Sequence, residues 1–222
     1  CPKSDENIAP DTYQKSSVFM FEKLANELKE IGFNGAFALC GYGEPYLHKN
    51  IYDIIKILSK VSRVEVVTNG DLIKPKTLQK SVEAGVSKIL ISMYDNQDQV
   101  EHFKKIIDDS GISKDIVILR DRWYDDSQNF GVKLTNRSGT IDLGNQAPIG
   151  MHTTCYYPSY QLLIDWNGDV FLCPQDWQRR VTMGNIMHEN FFDIWKGSHI
   201  SKFRKCLLKG DRSNSPCNKC NA

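Results

Sequence analysis

The residues best suited to chemistry here carry sulfur. Seven cysteines, Cys1, Cys40, Cys155, Cys173, Cys206, Cys217 and Cys220, occur in 222 residues. Cys217 and Cys220 form a CxxC, the spacing at which two thiolates on one turn reach the same metal. The other ligands of such a site are expected upstream. Cys155 and Cys173 close the two ends of a segment that contains "QLLIDWNGDVFLC". Asn-Gly between two apolar runs signals a hairpin with a type I′ turn, which would bring the two sulfurs together. The set reads C-x17-C-x43-C-x2-C. Four thiolates suit Zn²⁺ or an iron–sulfur cluster, and spacing does not decide between them. The bland alternative is a group of buried, unpaired thiols. Cys206, among Phe203 and Leu207, and Cys40, ending an apolar run, read as packing residues.

A second candidate is "CGYGEPYLHKNI". Gly41 and Gly43 allow close backbone approach, Glu44 supplies a carboxylate, and Pro45 removes a donor and fixes the turn. The loop follows a strand, at the sheet edge where α/β folds bind ligands. A plain β-to-α turn is the alternative. Asn69 and Ser92 end later strands at the same edge; otherwise they are a turn residue and a strand-end cap.

The elements that must position these residues are legible from periodicity. "VFMFEKLANELKEIG", "IYDIIKILS", "KPKTLQKSVEAG" and the stretch from Gln97 to Asp109 have helical spacing. "GAFALC", read as a buried strand, "RVEVVTNG", "KILISMY" and "DIVILR" are strands, with a fifth near Val132 to Thr135. Strands alternating with helices predict βαβ units and a parallel sheet. Residues 121–160 are richer in Asp, Asn, Gly and Pro. Beyond them come the hairpin and two helices, "FFDIWKG" and "HISKFRKCLLKG". The division is therefore into residues 1–136 and 137–222.

Composition narrows the classes. Net charge is +1 with no long basic run, so neither nucleic acid nor a membrane surface is indicated as partner. No apolar run is long enough to span a bilayer. No secretory signal opens the sequence, so a cytoplasmic, reducing setting is expected, which favours metal or catalytic thiols over disulfides. The sequence begins at Cys1 rather than at methionine, and further residues are expected upstream.

Taken together the motifs resemble those of radical S-adenosylmethionine enzymes. "GYGEP" is similar to their GGEP motif and "TNGD" to their TNG segment. "CPKS" resembles the last cysteine of their CxxxCxxC signature, with the first two cysteines upstream of residue 1. Cys155, Gly168, Cys173, "MGNI", "DIW" and the final CxxC resemble the SPASM or twitch subdomain in its one-cluster form. "NRSG", at 136–139, resembles a dehydrogenase branch of that family.

The resemblance implies a partial (β/α)6-type barrel, with its first strand upstream, and a C-terminal hairpin-plus-helix subdomain. It implies two [4Fe–4S] clusters: the radical cluster, with Cys1 as one ligand, and an auxiliary cluster on Cys155, Cys173, Cys217 and Cys220. S-adenosyl-L-methionine would meet Glu44 and the Gly43 backbone, within a site formed by Gly41, Gly43, Glu44, Pro45, Asn69 and Ser92. Arg137 would act at the substrate hydroxyl; a guanidinium stays charged, which suits it to stabilise a developing oxyanion rather than to take a proton alone. The expected function is an oxidoreductase. A 5′-deoxyadenosyl radical would take hydrogen from a cyclitol or amino sugar, the auxiliary cluster would take the second electron, and flavodoxin or ferredoxin would be the donor. Alternatives are peptide modification and an inactive scaffold with a Cys₄ zinc site.

Overall fold

The computed structural model describes residues 3, 5–7, 9, 12–122, 135–142 and 153–222. It divides into two compact units, one of residues 21–132 and one of residues 1–20 with 133–222. Cys1 and residues 132–134 of the expected fifth strand lie outside the described residues.

In the first unit, four parallel strands stand in the order β1 (Ala36–Leu39), β2 (Arg63–Thr68), β3 (Lys88–Met93), β4 (Val117–Asp121). Parallel neighbours need a crossover, and here each is a helix: α2 (Ile51–Ser59), α3 (Pro75–Glu83) and α4 (Asp98–Ser110). Helix α1 (Val18–Glu30) precedes β1. The core is built from the two central strands. Val64 and Val66 of β2 and Ile89, Ile91 and Met93 of β3 are fully buried. Helix α2 meets them with a stripe at Ile51, Ile54, Ile55 and Leu58, the i, i+3, i+4, i+7 spacing of one helical face. Burying one such side chain contributes about 1.5–3 kcal/mol. Strand β1 departs from the sequence reading. It is an edge strand with Ala36 and Ala38 exposed, because β2 flanks it on one side alone among the described residues.

The second unit holds an antiparallel sheet in the order β5 (Leu163–Ile164), β6 (Asp169–Phe171), β7 (Thr182–Asn185). Helices α5 (Tyr157–Tyr160), α6 (Phe191–Lys196) and α7 (Ser198–Leu208) accompany it. The hairpin exists, but its turn is not type I′, which needs positive φ at both central residues. Gly168 is left-handed at φ 90°, whereas Asn167 is not among the positive-φ residues. The Gly168 N–H donates to the Asp165 carbonyl at 3.0 Å, closing a turn over Trp166 and Asn167 before the glycine. Asn185 of "MGNI" then fastens the turn, its amide donating to the Asn167 carbonyl and to Asp169 Oδ1.

At the C-terminal end of β2 the chain turns at Gly70, φ 91°, where an added Cβ would lie 2.4 Å from the Phe103 ring. Gly70→Ala combines a left-handed alanine with overpacking, and is expected to lower stability by about 2 kcal/mol or more. A fall in thermal midpoint checks this; an unchanged midpoint would contradict it.

Candidate functional site

Cys155, Cys173, Cys217 and Cys220 line one pocket in the second unit. Each is placed by backbone bonds. The Cys155 N–H donates to the Leu207 carbonyl at 3.2 Å, fixing it to the C-terminal end of α7. Cys173 leaves β6 and enters a turn in which the Asp176 N–H meets its carbonyl at 3.1 Å. Cys217 opens a 3-10 turn that Cys220 closes, N–H to carbonyl, at 3.2 Å. Two sulfurs also accept backbone donors: the Gln175 N–H on Cys173 Sγ at 3.3 Å and the Ala222 N–H on Cys220 Sγ at 3.4 Å. Such donors orient and stabilise metal-bound thiolates.

Electrostatics say what the pocket needs. Burial pushes the Cys173 thiol up to about 12, opposed by the Gln175 N–H and reinforced by the neighbouring sulfurs. Burial likewise pushes Cys217 up to about 12, with Cys155 and Cys220 adding to it and Arg212 opposing. Four thiolates therefore coexist here when a positively charged metal group lies among them. Four cysteines on one pocket, with N–H donors to two of the sulfurs, are a donor set that fits an iron–sulfur cluster.

The loop at Asn136–Gly139 is built onto the same pocket. Asn136 and Asn221 are bonded reciprocally: the Asn136 N–H donates to Asn221 Oδ1 at 2.6 Å, and the Asn221 N–H to Asn136 Oδ1 at 3.2 Å. The Asn136 amide donates to the Lys219 carbonyl at 2.7 Å. Arg137 and Ser138 both sit in the left-handed region, at φ 47° and 55°. Arg137 Nη1 donates to Gln175 Oε1 at 3.3 Å, and Ser138 and Gln175 line the pocket. Buried Asp176 accepts from Arg180 Nε at 3.0 Å, and Arg180 Nη2 donates to the Ser138 carbonyl at 2.6 Å.

In the other unit, Glu44 ties the loop after β1 to the end of β2. Its Oε1 accepts from the Tyr46 N–H at 3.0 Å and the Thr68 hydroxyl at 2.9 Å, and its Oε2 accepts the Asn69 N–H at 3.0 Å. Pro45 opens the following 3-10 turn. The Tyr46 hydroxyl reaches Ser81 of α3 at 2.9 Å, and burial pushes that phenol up to about 12.

Residues 155–221 match the SPASM family, described as an iron–sulfur cluster-binding domain. The chain is 29% identical over 208 residues to the S-adenosyl-L-methionine-dependent 2-deoxy-scyllo-inosamine dehydrogenase of Niallia circulans, covering 91% of this chain and 79% of that protein. It is also similar to the crystal structure of BtrN in complex with AdoMet and 2-DOIA, at 26% identity and TM-score 0.77, over 93% of this chain and 80% of that one. The chain is a radical S-adenosylmethionine oxidoreductase. An open-conformation structure of BtrN, at 23% identity and TM-score 0.70, over 93% of this chain and 80% of that one, matches in fold.

The cofactors of a radical S-adenosylmethionine oxidoreductase with a SPASM domain are S-adenosylmethionine and iron–sulfur clusters, an auxiliary one included. Of the residues expected to meet S-adenosylmethionine, Glu44 and Asn69 are joined directly. An ionised carboxylate offers about four acceptor positions, and three are taken, which leaves one for an ammonium group. The Asn69 side chain is engaged in its own turn, donating to Asp71 Oδ2 at 2.7 Å and accepting the Asp71 N–H at 3.1 Å. Gly41 and Gly43 are exposed in the loop, and Ser92 is buried one residue before the end of β3. Sequence reasoning missed Asn136, Gln175, Asp176, Arg212 and Asn221. Arg212 is buried and lines the cysteine pocket. Its Nε donates to the Thr153 carbonyl at 2.7 Å, and both Nη atoms reach the Ala222 oxygen at 3.1 Å.

Glu44→Gln presents an amide NH₂ to at least one of the three donors in either orientation. The expected cost is about 1–3 kcal/mol, localised to this loop. Hydrogen exchange at the Tyr46 and Asn69 amides should accelerate about tenfold, since 1.4 kcal/mol is one decade. Unchanged exchange at both amides would show that the carboxylate does not hold the loop.

Proposed function

We propose that this oxidoreductase converts a secondary alcohol of a hydroxylated small molecule, of the cyclitol or amino-sugar class, to a ketone. S-adenosylmethionine on the radical cluster would supply the hydrogen-abstracting radical, and the auxiliary cluster on Cys155, Cys173, Cys217 and Cys220 would take the second electron. The carrying observation is that Arg137 is bonded through Gln175 to the loop that bears Cys173, so a hydroxyl held by Arg137 would lie next to the four-cysteine pocket. The guanidinium stays charged throughout, so its role at the hydroxyl is to stabilise the oxyanion that forms as the proton leaves. Glu44 would hold the ammonium of S-adenosylmethionine through its remaining acceptor position, a charge-assisted contact. The substrate named for the matched dehydrogenase supports the cyclitol class.

Two variants test the assignment. Cys217→Ala is expected to keep forming 5′-deoxyadenosine while ketone yield falls at least tenfold; an undiminished ketone yield removes the electron-acceptor role. Arg137→Lys keeps the charge but loses the planar fork, and should depress ketone formation more than cofactor cleavage. Equal loss in both would place Arg137 away from the substrate.

A further inference from the structure

Helix α7 carries a face that this chemistry leaves unused. Lys202 and Lys205 on the helix and Lys209 at its C-cap recur at i, i+3 and i+7, and all three are exposed. Leu208, 48% exposed, stands among them. No ion-pair partner meets any of the three lysines among the described residues. Exposed helical lysines are ordinarily offset by acids three or four positions away. Here those positions hold none, and Lys205 and Lys209 are themselves a like-charged i, i+4 pair, a mildly destabilising arrangement. Residues 195–222 contain seven Lys and Arg against one acid, Asp211, in a chain whose net charge is +1. The positive charge is thus concentrated where the rest of the chain is net negative.

The same helix covers the cysteine pocket. Leu207 lines it, and the Leu207 carbonyl holds the Cys155 N–H. Arg204 makes the helix a rigid platform. Its Nε donates to the Pro158 carbonyl at 2.8 Å and its Nη1 to the Trp195 carbonyl at 2.5 Å, and its guanidinium stacks 4.1 Å above the Trp195 ring. A basic rim around an exposed leucine is complementary to an acidic protein surface with an apolar centre.

We propose that the Lys202–Lys205–Leu208–Lys209 face docks a small acidic one-electron carrier protein, which removes the electron that substrate oxidation leaves on the auxiliary cluster. This rests on the electron-acceptor reading above. The balance closes. The carbinol carbon gives a hydrogen atom to the 5′-deoxyadenosyl radical, the hydroxyl gives a proton to solvent, and one electron remains for the cluster. One electron enters to cleave S-adenosylmethionine, one leaves to the oxidised carrier, and the carrier is reduced by one electron.

The experiment uses the cluster-loaded enzyme and purified oxidised flavodoxin as the probe, with affinity measured calorimetrically. Unaltered enzyme should bind, and more weakly as ionic strength rises. Lys202→Glu/Lys205→Glu/Lys209→Glu should weaken binding at least tenfold, and the corresponding triple arginine variant should stay within about twofold, because the charge is kept. Lys29→Glu/Lys56→Glu/Lys60→Glu, in the other unit, should bind as the unaltered enzyme does. Lys205→Glu alone, expected to weaken binding about threefold, serves if the triple reversal does not fold. Absence of binding by the unaltered enzyme, insensitivity to the α7 reversals, or equal loss in the other-unit control would each overturn the docking site. Iron and sulfide content and the single-turnover ketone yield of dithionite-reduced enzyme are followed in parallel. A normal yield with lost affinity is the expected result. A missing yield in unaltered enzyme would instead strike the electron-acceptor reading, while affinity still decides the docking face.

Discussion

Four sulfurs around one pocket, those of Cys173 and Cys220 buried, are a charge problem before they are a ligand set. Burial, the largest cause, drives Cys173 and Cys217 to about 12, and each added thiolate makes the next harder to form. The surrounding chain is arranged to lower that cost. Backbone N–H groups of Gln175 and Ala222 point at two of the sulfurs. Arg212 sets a permanent, buried positive charge beside the pocket, and its fork ties the stretch before Cys155 to Ala222, just beyond Cys220. A metal cluster held there would complete the compensation, and its binding free energy would then become stability of the fold around it.

The sheet-edge site is preorganised by other means. No metal is needed to hold Glu44: one carboxylate collects donors from its own loop and from the end of β2, so loop and strand end are fixed to each other. Because three acceptor positions are filled by protein donors, an ammonium group arriving there would find an oriented oxygen rather than a freely rotating side chain. That lowers the ordering cost of binding.

What could be read from the sequence was whatever has a period or a fixed spacing. Helices α1 to α4 and strands β1 to β4 follow from apolar recurrence, and the CxxC from its spacing. The Asn-Gly pair marked a hairpin correctly, yet its turn type depended on Asn185, seventeen residues beyond the glycine, which bonds back onto the turn. The exposure of β1 depended on what lies beside it, which a run of apolar residues does not encode. Gln175, Asp176, Arg212 and Asn221 were missed for a related reason. Each is a single polar residue in a loop, with no periodicity, and each acquires meaning from the partner it meets in the fold. Strand β7 was concealed because "TMGN" has neither alternation nor β-branched density; it pairs with β6 because the hairpin presents an edge to it.

Arg137 shows how the two kinds of constraint combine. Left-handed backbone at two consecutive non-glycine residues costs on the order of 1–3 kcal/mol for each. Such a conformation persists when neighbours over-determine it. Here they do: Asn136 is bonded to Lys219 and Asn221, Ser138 to Arg180, and Arg137 itself to Gln175. Every one of those partners stands on a loop that carries a cysteine of the pocket. The cysteine loops therefore take part in setting the position of the guanidinium. The hydrogen bonds from Asn136, Arg137 and Ser138 thus join the cation's loop to the loops that carry Cys173, Cys217 and Cys220.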